Sequence, residues 1–321
     1  MVRYLTQRLA AGALILALVN FVGFAYAHGA RYIQQLQNPY GTRAAPPEIL
    51  PLYAEYLQAA TRLDFGTLAV GVGVPVMEAL GQAALASAGL LALAAVFSVL
   101  TGLALGLLAV RVEPPGVARW LTPVVSLGLA MPSFYLGTLF VAAAAFLLLR
   151  GLGEFPLPLG GFGWDAHLAL PTLALVIRPA TQIAQVTANL LADEIRKQYV
   201  VTARSFGNTW RRIRWRHALS NALAPILLTM AGAFRLAVGE LVLVEWLFAW
   251  PGLGRLLAQT LLAPNIAAPG SLSGGGQYFL HPPLLAALLM VLALAFITVE
   301  TAASSLARAV DPRLRLDDPQ H

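Results

Sequence analysis

The chain has 321 residues, 58% of them hydrophobic and only 11% charged, with a net charge of +6 and a mean hydropathy of +0.71. A soluble domain carries about 25% charged residues, so this composition excludes an ordinary water-soluble fold and points to burial in lipid. The absence of cysteine excludes disulfides and thiolate metal sites, and the basic excess is too localised at the ends of apolar runs to read as a nucleic-acid surface.

Apolar runs cover residues 9–27, 80–110, 121–149, 168–190, 221–247 and 282–307. Each has about 19 residues or more, and a helix needs about 20 to cross the hydrocarbon core. Backbone groups in lipid must bond within their own segment, so these runs are predicted helices. The expected fold class is an all-α membrane protein with about six transmembrane helices and a small external cap. The runs 80–110 and 121–149 exceed the minimum and are expected to tilt or to extend past the bilayer. The chain then divides into 1–27 (N-terminal end and first span), 28–76 (external segment), 77–308 (transmembrane core), 191–220 (internal loop) and 309–321 (tail).

Within the first segment, Arg3 and Arg8 precede an apolar stretch ending in Ala25-Tyr26-Ala27, which also resembles a secretory signal with a small-residue cleavage site. The stretch is longer than a signal core of about 7–15 residues, which favours a retained helix. In the external segment Asn38-Pro39-Tyr40-Gly41 reads as a turn, and Leu52, Tyr56, Leu57 and Ala60 have helical spacing. The later external loop, 264–283, holds a Gly/Ser stretch at 270–276 that is flexible by composition.

Basic residues set the orientation. All but Lys197 are arginine. With the N-terminus in the cytoplasm, fourteen of the 21 fall inside and five outside, while Arg178 and Arg235 lie within spans. Both termini are therefore expected to be cytoplasmic.

The richest basic segment is the internal loop 193–217. Helix formers run to Ser205, and then Gly207 and Asn208 supply a stop that tolerates the left-handed conformation. Thr209 is placed to cap a second short helix, on which Trp210, Ile213 and His217 share one side. Arg211, Arg212, Arg214 and Arg216 surround that side. An apolar ridge ringed by arginine suits a groove in a soluble partner. Positive-inside charge alone would explain the arginine count but not the helix–Gly–helix order or the two tryptophans, and a lipid-surface helix is the intermediate reading.

The loop resembles the signature of binding-protein-dependent ABC importer permeases: E-A-A, three residues, Gly, nine residues, then I-x-L-P. Val201-Thr202-Ala203 stands at the first element, followed by Gly207 and by His217-Ala218-Leu219. The dipeptide/oligopeptide/nickel branch is closer, with Tyr199-Val200-Val201-Thr202-Ala203-Arg204-Ser205-Phe206-Gly207 and then Arg216-His217-Ala218-Leu219-Ser220-Asn221-Ala222-Leu223-Ala224-Pro225. Further agreement lies in Arg3-Tyr4-Leu5, in Met131-Pro132-Ser133-Phe134-Tyr135-Leu136-Gly137, in Phe248-Ala249-Trp250-Pro251-Gly252-Leu253-Gly254 after Glu245, and in Asp311-Pro312-Arg313. The departures are external, since the segment after the first span lacks a P-G-D-P-like sequence and the Gly/Ser loop is enlarged.

The resemblance implies a type I ABC importer transmembrane domain in a bacterial or archaeal inner membrane. It implies as partners a second permease subunit, two cytoplasmic ATPases and an external solute-binding protein. The cargo implied is peptide, with nickel, sugars and glycosides carried by relatives. ATPase-coupling residues would be Ala203, Gly207, Trp210, Arg211, Arg212, Ile213, Arg216 and His217. The chain is expected not to be an enzyme: a Walker A loop needs Gly-Lys-Ser/Thr, and Lys197 follows Arg196 instead. No cofactor is implied, and His28, His167 and His281 lack metal-ligand spacing. Ionisable residues within spans default to function, so Arg178, Arg235, Glu240, Glu245 and Glu300 either line the translocation path or pair across helices. The competing class is an ion-coupled secondary transporter or channel, which would need repeats or broken helices around midplane charges; Pro179 beside Arg178 is the hint in its favour.

Overall fold

Long apolar runs with no water at hand must bond their own backbone, and here they do so as helix. The computed structural model describes residues 2–37, 45–68, 73–151, 157–262 and 278–310. Among these, four helices are long and apolar enough to cross a membrane. They are Arg8–Gln37 within α1 (Val2–Gln37), α3 (Val76–Ala109), the continuous stretch Trp210–Leu247, and Pro282–Ala302 within α11 (Pro282–Val310). The expected turn at Asn38-Pro39-Tyr40-Gly41, the Gly/Ser stretch at 270–276 and Asp311-Pro312-Arg313 lie outside the described residues.

The single span expected over 121–149 is instead two helices, α4 (Leu121–Ala130) and α5 (Ser133–Leu149), bent by 92° at the break. Pro132 has no amide proton and disfavours helix in the residue before it, and Met131 leaves the helix at φ −100°, ψ 112°. The expected span at 168–190 is α6 (Ala169–Ile195), which has the length but not the hydropathy of a span. Most of its residues are buried against the protein, so they have no need to be apolar for lipid. The six spans expected are therefore four by length and hydropathy, or five with the bent pair.

The described residues form two compact units. The first comprises those of 1–89, 160–162 and 249–297. It holds α1, α2 (Ile49–Ala60), the first turns of α3, α10 (Leu253–Leu261) and the first half of α11, with a two-stranded antiparallel hairpin of β1 (Thr67–Leu68) and β2 (Val74–Pro75). Its core joins Phe24, Tyr56, Phe65, Leu80, Leu256 and Leu288. Two buried polar bonds fasten the segment before α10: the Trp250 indole donates to the Ala86 carbonyl at 3.0 Å, and the Leu253 amide donates to Ser87 Oγ at 2.8 Å.

The second unit comprises the described residues of 90–159, 163–248 and 298–321. At its centre α6 packs against α4, α5 and α9 (Leu219–Leu247). Gly102 and Gly106 of α3 lie on α6 so closely that a Cβ at Gly102 would stand 2.7 Å from Ile183 Cβ, and one at Gly106 2.7 Å from Thr187 Cβ. Small residues four apart let two helix backbones approach in this way within a membrane. A second hairpin, β3 (Val110–Val112) with β4 (Pro115–Val117), follows α3 directly.

Candidate functional site: the arginine-rich connection and the buried charge pairs

The connection from α6 to α9 is built as a turn between two helices. Helix α7 (Gln198–Ser205) starts at Lys197, whose extended backbone (φ −73°, ψ 149°) turns the chain after α6. It ends at Gly207, which takes φ +76°, a left-handed conformation that a side chain would strain. The amides of Gly207 and Asn208 bond the carbonyls of Arg204 and Ala203 at 2.9 and 3.2 Å, and the Asn208 side chain donates to the Ala203 carbonyl at 3.0 Å. Thr209 Oγ1 then accepts from the Arg212 amide at 3.4 Å and caps the next helix.

That next helix is not a short separate one. Helix α8 (Trp210–Arg212) passes through a π-helical turn (Ile213–Ala218) straight into α9. A π turn widens the helix by a residue and shifts every side chain after it out of a 3.6-residue register. The ridge expected from Trp210, Ile213 and His217 does not stand on the surface. Ile213 is fully buried, Trp210 is half-buried against the core around Leu191 and Ala218, and His217 is half-buried. The exposed apolar groups are Val201, Phe206 and Trp215, with Phe206 80% exposed. Arg211, Arg212 and Arg216 are exposed around Trp215 and, with Thr209, line a cleft of about 420 Å³. Ala203 is half-buried and Gly207 exposed. The exposure of Phe206 is not foretold by residue type, since a hydrophobic residue beside a helix-ending glycine often packs back on the last turn. Trp215, one of the two tryptophans that the sequence places in the loop, is exposed.

Polar contacts not expected from the sequence hold this surface in place. Glu194, buried at the end of α6, accepts from Lys197, from Tyr199 Oη at 2.8 Å and from Asn221 Nδ2 at 3.4 Å, tying α6, α7 and α9 together. Burial alone would raise the Glu194 carboxyl, but these hydrogen bonds and the Lys197 charge outweigh it and hold the group below the ordinary carboxylate range. Burial first, and then donation to Glu194, push the Tyr199 phenol up to about 12. The Arg204 guanidinium lies 4.4 Å from the centre of the Trp210 ring, near enough for a cation–π contact, and 3.9 Å from Glu113 in the β3–β4 turn. Arg214 and Arg196 reach the same hairpin through the carbonyls of Val110 and Pro115 at 3.5 and 3.4 Å.

The intramembrane charges fall into two pairs and one buried residue. Glu240 on α9 binds Arg178 on α6, and its other oxygen accepts from the hydroxyl and the amide of Ser133, the first residue of α5. A carboxylate at a helix N-terminus meets both a free amide and the positive end of the helix dipole. Arg235 on α9 pairs with Glu300 on α11 at 2.7 Å, and Glu245 is fully buried. Pairing across helices, one of the two readings open from the sequence, is thus present for four of the five. Pro179 lies inside α6 without breaking it.

The chain is thus an all-α membrane domain with a bent helix pair and an arginine-rich helix–turn–helix between two of its long helices. Residues 102–316 match the family described as binding-protein-dependent transport system inner membrane component, and the chain belongs to that family. It is accordingly a multi-pass membrane permease of an ABC importer, a class that works with an ATPase and a solute-binding protein.

The oligopeptide transport system permease OppB of Mycobacterium bovis is 28% identical over 287 residues, covering 81% of this chain and 87% of that one. The glutathione transport system permease GsiC of Salmonella paratyphi A is 27% identical over 268 residues, covering 83% and 80%. The oligopeptide permease AppB of Bacillus subtilis is 27% identical over 223 residues, covering 65% and 69%. A solved chain of the MetNI methionine ABC transporter, in inward-facing conformations, has a TM-score of 0.54 at 18% identity and covers 73% of this chain and 97% of its own, which shows the shared fold.

Proposed function

We propose that this chain forms half of the translocation pathway of an ATP-driven peptide importer, beside a second permease subunit and above two ATPase subunits. Both termini face the cytoplasm of a bacterial or archaeal inner membrane. The relatives named above carry peptide or glutathione names, which supports peptide cargo. The excess of arginine on the segments around 193–217 supports the orientation.

The observation that carries the coupling role is the exposed trio Val201, Phe206 and Trp215, set among Arg211, Arg212 and Arg216 on a connection locked to α6 and α9. Aromatic anchors with surrounding arginine are what a protein partner's groove takes up best. When the ATPases close on ATP, the groove moves this surface, and the Glu194 network passes that motion to α6 and α9 together. In this proposal Ala203 and Gly207 allow close approach, and Arg211, Arg212, Arg216 and His217 fix orientation. Trp210 and Ile213 act from within, by holding the connection to its own core. The pairs Arg178–Glu240 and Arg235–Glu300, with Glu245, give the pathway a polar and nearly neutral wall, compatible with peptides that carry both charge signs.

The test is uptake of labelled peptide into proteoliposomes holding both permeases and both ATPases, with the binding protein added outside. Uptake is expected to need ATP, and Gly207→Val is expected to abolish uptake while the complex still assembles. Uptake that persists without the ATPases would instead support the ion-coupled class. The ligand retained by the binding protein, whether peptide, nickel or sugar, decides the cargo.

A further inference from the structure

We infer that α2 is an in-plane membrane anchor whose Leu50 and Leu57 face enters the lipid at the outer surface of the bilayer. This goes beyond the transport role and does not depend on the cargo; it rests on the orientation proposed above for the term outer alone.

The depth of α2 follows from one buried residue. Asn20 of α1 donates to the Ala286 carbonyl at 3.2 Å and to Tyr56 Oη at 3.0 Å, and its own oxygen accepts from Tyr53 Oη at 3.0 Å. Ala286 lies four residues into the span that begins at Pro282, or about 6 Å at the helical rise of 1.5 Å per residue. Two tyrosines of α2 therefore reach groups that already lie within a span, and α2 itself is held no more than a side chain's length from that level. Tyrosine is the residue type that favours the headgroup boundary, with an apolar ring and a polar tip.

The tilt follows from the contacts. The aromatic packing of α2 on α1 involves Tyr53 and Tyr56 on one helix and Phe21 and Phe24 on the other, a single turn of each. Helices that touch over one turn cross, whereas helices that run side by side touch over several. Since α1 spans the bilayer, a helix crossing it runs oblique to the membrane normal, and the exposed stripes of α2 then decide which side meets lipid.

The free face then has the pattern of an interfacial helix. Leu50 is 72% exposed and Leu57 43% exposed, with exposed Ala54 between them, so 50, 54 and 57 form one apolar stripe. Glu55 and Gln58 are exposed beside it and supply the polar stripe. Leu14, Leu18 and Val22 of the α1 span are likewise more than half exposed, as lipid-facing residues of a span are. Lipid is the occupant that needs no new partner at this depth.

Since the chain has no cysteine, single-cysteine variants of the full permease report position directly. Leu50→Cys, Leu57→Cys, Glu55→Cys and Gln58→Cys would carry a fluorophore in phosphatidylethanolamine–phosphatidylglycerol vesicles. Brominated lipid is expected to quench positions 50 and 57 several-fold more than 55 and 58, and iodide in the outer buffer is expected to show the reverse order. Equal iodide access at all four positions would overturn the proposal. Shielding of 50 and 57 only after solute-binding protein is added would overturn it too, and would assign the face to that protein.

Discussion

Glu240 and Arg178 are bound to each other across α9 and α6, and the same Glu240 closes the open N-terminus of α5 at Ser133. One carboxylate thus neutralises a cation and supplies the acceptor that the α5 amide lacks after Pro132. Three helices meet at this point.

Removing either member should leave the other charge without its partner in a low-dielectric setting. Breaking a fully buried pair costs about 3–5 kcal/mol, and less is expected here because the Arg178 side chain keeps 30% of its exposure. Arg178→Ala and Glu240→Gln should each lower the melting temperature of the detergent-solubilised permease. The double variant Arg178→Met/Glu240→Leu should recover much of the loss. A double-mutant cycle measures the coupling, and strictly additive effects would show that the pair contributes nothing.

The contact of Gly102 and Gly106 with α6 leaves no room for a methyl group. Gly102→Ala and Gly106→Ala should each destabilise by about 1–3 kcal/mol, the range for overpacking a filled interface. Thermal unfolding followed by fluorescence reads this directly. Gly232, where an added Cβ would meet only the far end of Arg235 at 4.0 Å, is the matched control and should tolerate alanine.

Burial separates the two kinds of residue in the arginine-rich connection. Phe206→Ala and Trp215→Ala should leave the melting temperature of the isolated permease unchanged and weaken its capture of the ATPases by tenfold or more, as loss of an anchor costs about 2 kcal/mol or more. Ile213→Ala should do the opposite, destabilising the permease by about 2–5 kcal/mol through a core cavity. Equal effects of all three on stability would remove the distinction.

Glu194 makes the connection sensitive to acid. Its folded carboxyl lies below its unfolded value of 4.5, so its contribution is fully present above pH 4.5 and is lost as pH falls through the lower folded value. Tyr199 acts at the other extreme: its folded phenol is raised to about 12 from 10.0, so it contributes below pH 10 and the contribution fades towards pH 12. Hydrogen exchange of the α7 amides between pH 3.5 and 7 should therefore show loosening at the acid end. Glu194→Gln should abolish that acid-dependent part.

Local signals are legible in this sequence and long-range ones are not. Gly207 and Thr209 act through their own backbone and one hydrogen bond, so the stop and the cap stand where residue type puts them. Pro132 lay within an apolar run, and hydropathy outweighed its message that the helix must end at Met131. The burial of Ile213 comes from tertiary packing, which periodicity along one helix does not report. Glu194 was legible only as one more acidic residue, because its partners Tyr199 and Asn221 are brought to it by the fold. Arg178 and Glu240 stand out by their rarity within spans, but nothing in their spacing of 62 residues announces that they meet.

From Trp210 to Leu247 the chain is helical over 38 residues, through the π turn and past Pro225. At 1.5 Å per residue that is a rod of about 57 Å, longer than the hydrocarbon core. A stiff rod has no lost motion: tilt its near end and the far end swings the other way, in the same instant and in proportion to the distance from the pivot. Leverage of this kind needs no chain of side-chain rearrangements. In the coupling proposed above, the mechanical advantage would depend on where along α9 the fulcrum falls, and Pro225 and the π turn, both between the two ends, are the positions where a helix bends most readily.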